Sequence, residues 1–122
     1  MQCLVLCLSL SLSCSDFRSG LTGQETPGED PEINSQYAVE YIQGFQEDAR
    51  DPSRLKASAA CKHFAAYSFE NSTMAHTDRY HFNAVVSTAD LEESFLPSFK
   101  ACVGEARSSG IMCSYNEING VP

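Results

Sequence analysis

Residues 56–66 read Lys-Ala-Ser-Ala-Ala-Cys-Lys-His-Phe-Ala-Ala, and the fold turns on whether this stretch is strand or helix. Its first half is small and apolar, and Lys62-His63 follows directly. A short apolar run reads as a buried strand over about 57–61. Helix is the competing reading, because alanine favours it.

Working outward, Asp30-Pro31 is a helix-start signal, with Asp30 as N-cap and Pro31 at the first helical position. Tyr37, Ala38, Tyr41, Ile42 and Phe45 then form an apolar stripe at helical spacing. The helix should end before Asp51-Pro52. Residues 16–30, rich in Gly, Ser, Thr, Pro and acid, read as a loop.

Downstream, Ser68 to Thr77 is polar and reads as a second loop. It contains Asn71-Ser72-Thr73, an N-glycosylation acceptor pattern that matters only if the chain is exported. Ser87-Thr88-Ala89-Asp90 has the form of a helix start, with an acid three residues after the cap. Leu91, Phe95, Leu96, Phe99 and Val103 fall on one helical face. Pro97 interrupts that face and predicts a kink or a displaced helix start. Gly110 is expected to end the helix, Ile111 to Tyr115 to form a second short strand, and Asn119-Gly120 to turn.

The order helix, strand, long loop, helix, strand predicts an α/β fold with a parallel sheet and a right-handed crossover. One such unit leaves strand edges open and a helix half covered. The 122 residues are therefore expected to be an incomplete set of strand–helix repeats.

Parallel strands bring their carboxyl ends to one side, where α/β proteins place their ligands. Lys62-His63 ends the first strand and Tyr115-Asn116 the second. A Lys, a His, a Tyr and an Asn converging there offer hydrogen bonds to hydroxyls and one positive charge. That chemistry suits a neutral polar ligand such as a sugar. The plainer alternative is a solvated Lys62 with His63 and Tyr115 satisfied in a core.

Glycosidases need paired carboxylates. Glu25, Glu29 and Asp30 precede one helix, and Asp90, Glu92 and Glu93 begin another. Capping and helix-dipole compensation explain both groups. No acid stands at the end of an expected strand, so no catalytic residue is assigned. The chain has no Gly-x-Ser-x-Gly elbow for serine hydrolysis and no Gly-rich phosphate loop.

The net charge is −8, from 16 acids against 8 Lys and Arg. Without a basic stripe, neither nucleic-acid phosphates nor an anionic membrane surface is an expected partner. The six cysteines are Cys3, Cys7, Cys14, Cys61, Cys102 and Cys113. None makes a C-x-x-C pair, and none joins His63, His76 or His81 in a zinc pattern, so no metal or cofactor is expected. Buried free thiols are one reading of them. A disulfide among Cys61, Cys102 and Cys113 is the other, if the protein is exported. Residues 1–15 are uncharged, small and apolar. They are too short to span a membrane and resemble the apolar part of a secretory signal, with Ser13 and Ser15 near a cleavage point. An incorrect gene start is the alternative, and under either reading the segment is expected to stand apart from the fold.

Several stretches together resemble glycoside hydrolase family 3. Gln24-Glu25-Thr26-Pro27-Gly28-Glu29-Asp30-Pro31 matches its Q-E-T-P-G-E-D-P stretch, and Ala60-Cys61-Lys62-His63-Phe64-Ala65-Ala66-Tyr67 its lysine–histidine motif. Asp78-Arg79-Tyr80-His81-Phe82-Asn83-Ala84 is similar to the D-R-x-x-F-N-A segment of the β-xylosidase branch. Asp90-Leu91-Glu92 and Phe95-Leu96-Pro97-Ser98-Phe99 match the following helix. Met112-Cys113-Ser114-Tyr115-Asn116-Glu117-Ile118-Asn119-Gly120-Val121-Pro122 matches M-C-S-Y-N-x-x-N-G-x-P.

The resemblance implies a (β/α)8-type (TIM-type) barrel, of which residues 16–122 would be a part. It implies removal of sugars from non-reducing ends with retention of configuration, through a covalent intermediate. The substrates implied are xylo-oligosaccharides or related glycosides, including α-L-arabinofuranosides, handled outside the cell or in the secretory pathway. Lys62, His63 and Tyr115 would bind the sugar before the scissile bond, and Arg79 would be structural. Thr22 stands where the family pattern has a sugar-contacting arginine. The nucleophilic aspartate of the family belongs to an S-D-C-type motif that these residues do not contain. The chain is thus expected to be an enzyme fragment that is inactive alone, with a non-catalytic sugar-binding piece or an incomplete gene product as the alternatives.

Overall fold

A computed structural model describes residues 26–69, 71–72 and 76–122, together with the strand Val5–Ser9; for Val5–Ser9 and residues 71–72 it describes the backbone alone. Ser13, Ser15, Thr22, Gln24 and Glu25 lie outside the described residues, as do Cys3 and Cys14.

The stretch that opened the reading is a strand, β2, Ser58–Phe64. It is central in a three-stranded parallel sheet between β1, Val5–Ser9, and a strand at Gly110–Cys113. The expectation that residues 1–15 stand apart from the fold is thereby corrected for Val5–Ser9, which pairs with Ser58–Lys62 in continuous register. The reason is physical: a short uncharged apolar run serves equally as a signal core or as a strand of a parallel sheet.

Helix α1, Pro31–Gln46, lies between β1 and β2 in the chain. Asp30 caps it, its carboxylate accepting from the backbone N–H of Glu32 at 2.8 Å and of Ile33 at 3.1 Å. Replacing Asp30 by Ala should cost about 1 kcal/mol, read as a lower urea midpoint at unchanged m. The expected stripe is half right. Ala38 and Ile42 are fully buried, but Tyr37 and Tyr41 are exposed, and Asn34 and Gln46 occupy the remaining core positions. Polar residues can sit there because backbone needs them. Gln46 Oε1 accepts from Ala59 N and Ser109 N, its Nε2 donates to Arg107 O, and Asn34 Nδ2 donates to Gly28 O.

The short strands β3, Asn71–Ser72, and β4, Thr77–Asp78, pair antiparallel, β3 within and β4 at the end of the stretch Ser68 to Thr77 expected to be loop. Then comes β5, Asn83–Ala84. Ser87 caps the next helical segment, accepting from Asp90 N at 3.0 Å. A single turn, α2, Thr88–Asp90, runs into a π-helical turn, Leu91–Phe95, and then into α3, Pro97–Gly104. Pro97 has no N–H to continue the ladder, so a new helix begins at it. Leu96 N bonds back to Leu91 O instead. The helix ends at Gly104, earlier than expected. Arg107, with a left-handed φ of 53°, turns the chain, and Gly110 opens the last sheet strand, β6, Gly110–Cys113. Val103, placed on the buried face by periodicity, is exposed.

The core lies between α1, α3 and one face of β2: Ala38 and Ile42, Ala59 and Cys61, Phe99 and Cys102, with Ala65 and Ala106 at its margins. Cys61 and Cys102 form a disulfide, which corrects the free-thiol reading for both. Cys113 is free but exposed. Finally β7, Glu117–Ile118, pairs parallel with β5, and the turn at Asn119-Gly120 follows as expected.

Candidate functional site

Strands β2 and β6 are neighbours and parallel, so their carboxyl ends share a rim. Cys61 pairs with Ile111 and Phe64 with Cys113, so two residues of β2, Lys62 and His63, stand opposite the single Met112. A bulge of this kind bends the strand and re-aims its side chains. Lys62 and His63 are half-buried, and the Lys62–His63 and Phe64–Ala65 peptide bonds are cis.

The loop after β6 is tied to the exit of β2 on both sides of Tyr115. Ser114 N donates to Phe64 O at 2.8 Å, and Ser114 Oγ to the same oxygen at 3.0 Å. Asn116, buried, donates through Nδ2 to Ala65 O at 3.4 Å and Glu117 O at 3.0 Å. Two flanking anchors leave Tyr115 little freedom of position, while the residue stays 52% exposed.

Tyr67, only 6% exposed, is the hub of the rim. Its ring meets His63 edge-on at 4.9 Å and Tyr115 at 6.0 Å, and stacks on Phe82 at 6.0 Å. Arg79 Nε donates to Tyr67 Oη at 2.8 Å, and the guanidinium lies 5.5 Å from the ring centres of both Tyr67 and Tyr80. Tyr80 in turn meets Tyr115 at 5.2 Å. The structure therefore joins His63 and Tyr115 through Tyr67, with Lys62 sharing the bulge with His63.

Sequence reading missed Tyr67, Tyr80 and Phe82. Tyr67 closes the lysine–histidine stretch and Tyr80 and Phe82 flank His81, but none falls on a regular period. Their meeting depends on a loop folding back. Asn83 and Asn119 make that loop. Asn119 accepts from Val86 N and donates to Val86 O, and Gly120 N donates to Asn83 Oδ1.

Asp78 secures the turn that carries Tyr80. Its Oδ1 accepts from Tyr80 N at 2.9 Å and lies 2.8 Å from His81 Nδ1. The Tyr80 N–H first, and the His81 side chain second, hold the Asp78 carboxyl below its usual range. A lowered acid stabilises the fold above its unfolded value, near 3.9, and that help is lost as pH falls through the still lower folded value. The turn should thus hold its geometry from neutrality down to about pH 4 and loosen below. Backbone NMR shifts of Tyr80 and His81 across that range check this.

The fold has counterparts. Residues 14–122 match the model of the glycosyl hydrolase family 3 N-terminal domain. The chain belongs to glycosyl hydrolase family 3. Over 101 residues it is 52% identical to beta-D-xylosidase 3 of Arabidopsis thaliana, covering 82% of this chain and 13% of that protein. It is 48% identical over 101 residues to beta-xylosidase/alpha-L-arabinofuranosidase 1 of Medicago sativa subsp. varia, again covering 82% and 13%. Among solved structures it superposes on a family 3 exo-beta-xylosidase (XlnD) in complex with a xylobiose aziridine activity-based probe. The TM-score there is 0.73 at 38% identity, over 83% of this chain and 13% of that one. A beta-glucosidase from Listeria innocua in complex with isofagomine matches with a TM-score of 0.72 at 30% identity, over 97% and 16%. The chain therefore spans about an eighth of the length of these family 3 relatives.

Proposed function

We propose that this chain forms the sugar-gripping part of an exo-acting, retaining β-xylosidase that hydrolyses xylo-oligosaccharides in xylan breakdown. The observation that carries the reading is the bulge at Lys62-His63 facing a pinned Tyr115 across Tyr67. Lys62 offers a charge-assisted donor, and His63 and Tyr115 offer neutral hydrogen-bonding groups beside aromatic surface. A neutral pyranose asks for that mixture. The similarity to xylosidases supports xylose over other sugars.

Cleavage itself belongs to carboxylates that this rim does not supply. A retaining enzyme needs a nucleophile and an acid/base about 5–5.5 Å apart, and Asp78 is committed to its turn. The parallel sheet β1-β2-β6, with α1 between its first two strands and α3 before its last, supports a (β/α)8 reading. We read the chain as a portion of such a barrel. Export is supported by the Cys61–Cys102 disulfide, which oxidising compartments preserve. Asn71 would then carry a glycan.

The test is p-nitrophenyl β-D-xyloside offered to the 122-residue chain. It should bind and remain uncleaved. Release of p-nitrophenol would overturn the placement of the cleaving carboxylates elsewhere, and absence of binding would overturn the sugar site.

A further inference from the structure

The bulge that carries Lys62 and His63 is bracketed by two ties to one helix. Cys61, in the last regular pair before the bulge, is joined by the disulfide to Cys102 of α3. Phe64, in the first pair after it, meets the ring of Phe99 edge-on at 5.1 Å and 87°. Phe99 and Cys102 stand three residues apart on α3 and so share one of its faces. Cys61, Cys102 and Phe99 are all buried. A further link runs onward from Phe64, whose carbonyl accepts from Ser114 N and Oγ beside Tyr115.

We infer that α3 positions the sugar grip, with Phe99 and Cys102 as positioning residues, so that affinity for the sugar depends on both ties being intact. This rests on the sugar-binding reading above. In a regular parallel pair the ladder fixes each residue of a strand. At a bulge two residues face one, and the ladder no longer sets both. Lys62 and His63 are therefore placed by what holds their neighbours. A covalent bond holds one flank and a buried aromatic edge the other, and both end on the same helix. Neither Phe99 nor Cys102 needs to touch the ligand, because Phe99 acts through Phe64 and Cys102 through Cys61. The same helix reaches Tyr115 by way of Phe64 and Ser114, so one element sets the spacing of all three gripping residues. A binding site works only when such spacings are held to a fraction of an ångström by the residues behind it.

The experiment begins with Phe99→Leu, which keeps the disulfide and an apolar core side chain but removes the ring contact. In the 15N-labelled 122-residue chain it should change the residual dipolar couplings of the Lys62 and His63 amides before any sugar is added. It should also weaken D-xylose binding about three- to tenfold by calorimetry. Phe64→Leu should give a loss of the same size, and the two together no more than either alone, because both remove one contact. Ile42→Val is the control, a core change that leaves both ties in place. It should lower the urea midpoint but leave the couplings unmoved and xylose affinity within about twofold. Cys61→Ala with Cys102→Ala should lose roughly tenfold in affinity where circular dichroism shows it folded. Where it does not fold, the Phe99 and Phe64 variants decide. Unmoved couplings at Lys62 and His63 in Phe99→Leu, or undiminished xylose affinity, would overturn the positioning role while the sugar site stands. Wild type that binds no xylose would overturn the sugar site and this role with it.

Discussion

Replacing Cys61 and Cys102 together by alanine is expected to lower the stability of the chain by about 4 kcal/mol. The two residues are 41 apart in sequence, and closing a loop of that size removes entropy worth roughly that amount from the unfolded ensemble. Total stabilities of small domains are on the order of 5–15 kcal/mol, so the loss is a large share. Both sulfurs lie fully buried in the core, between the central strand and α3, and alanines there also leave unfilled space. Urea denaturation gives the measurement, with the midpoint falling and reduction of the wild type by dithiothreitol producing a similar drop. Cys113→Ala is the control, because Cys113 is exposed and free. A double variant within about 1 kcal/mol of wild type would show that the cross-link does not constrain the unfolded chain as this account requires.

Lys62→Ala is expected to weaken xylose binding by roughly ten- to hundredfold, the worth of a charge-assisted hydrogen bond. The side chain is half-buried in the bulge, outside the apolar cluster of the core. Measuring the urea midpoint beside the affinity separates a ligand contact from a structural one. Lys62→Arg should not restore binding, because a planar fork does not reproduce the point donor of an ammonium. Calorimetry on the three proteins measures it. Undiminished affinity in Lys62→Ala would remove Lys62 from the site.

Much of the fold was legible where local chemistry and tertiary structure agree. Asp30-Pro31 begins α1, Ser87 caps the second helical segment, Pro97 restarts it as α3, and two short apolar runs become the parallel pair β2 and β6. The errors lie where a residue satisfies the backbone of a distant segment. Periodicity cannot foresee that Gln46 would enter the core to serve Ala59 and Ser109. Nor can it foresee that α3 would end at Gly104 and the chain turn at Arg107, ahead of Gly110. Val5–Ser9 was misjudged because an uncharged apolar run carries no mark of its partner, and β2 is that partner.

At the site, Lys62, His63 and Tyr115 could be named because strand ends in a parallel sheet have a known side. Tyr67, Tyr80 and Phe82 could not, because a folded-back loop brings them in. The Cys61–Cys102 pairing was open among three cysteines for the same reason: only the packing of α3 on β2 selects it.

The central claim is that the exits of β2 and β6 together hold a pyranose, and the most direct measurement is a titration of the 15N-labelled chain with D-xylose followed by NMR. The predicted result is a saturable set of amide shifts confined to residues 62–67 and 114–116, with the neighbouring turn at 79–80. Shifts that centre instead on the outer faces of α1 and α3, or that never saturate, would contradict it.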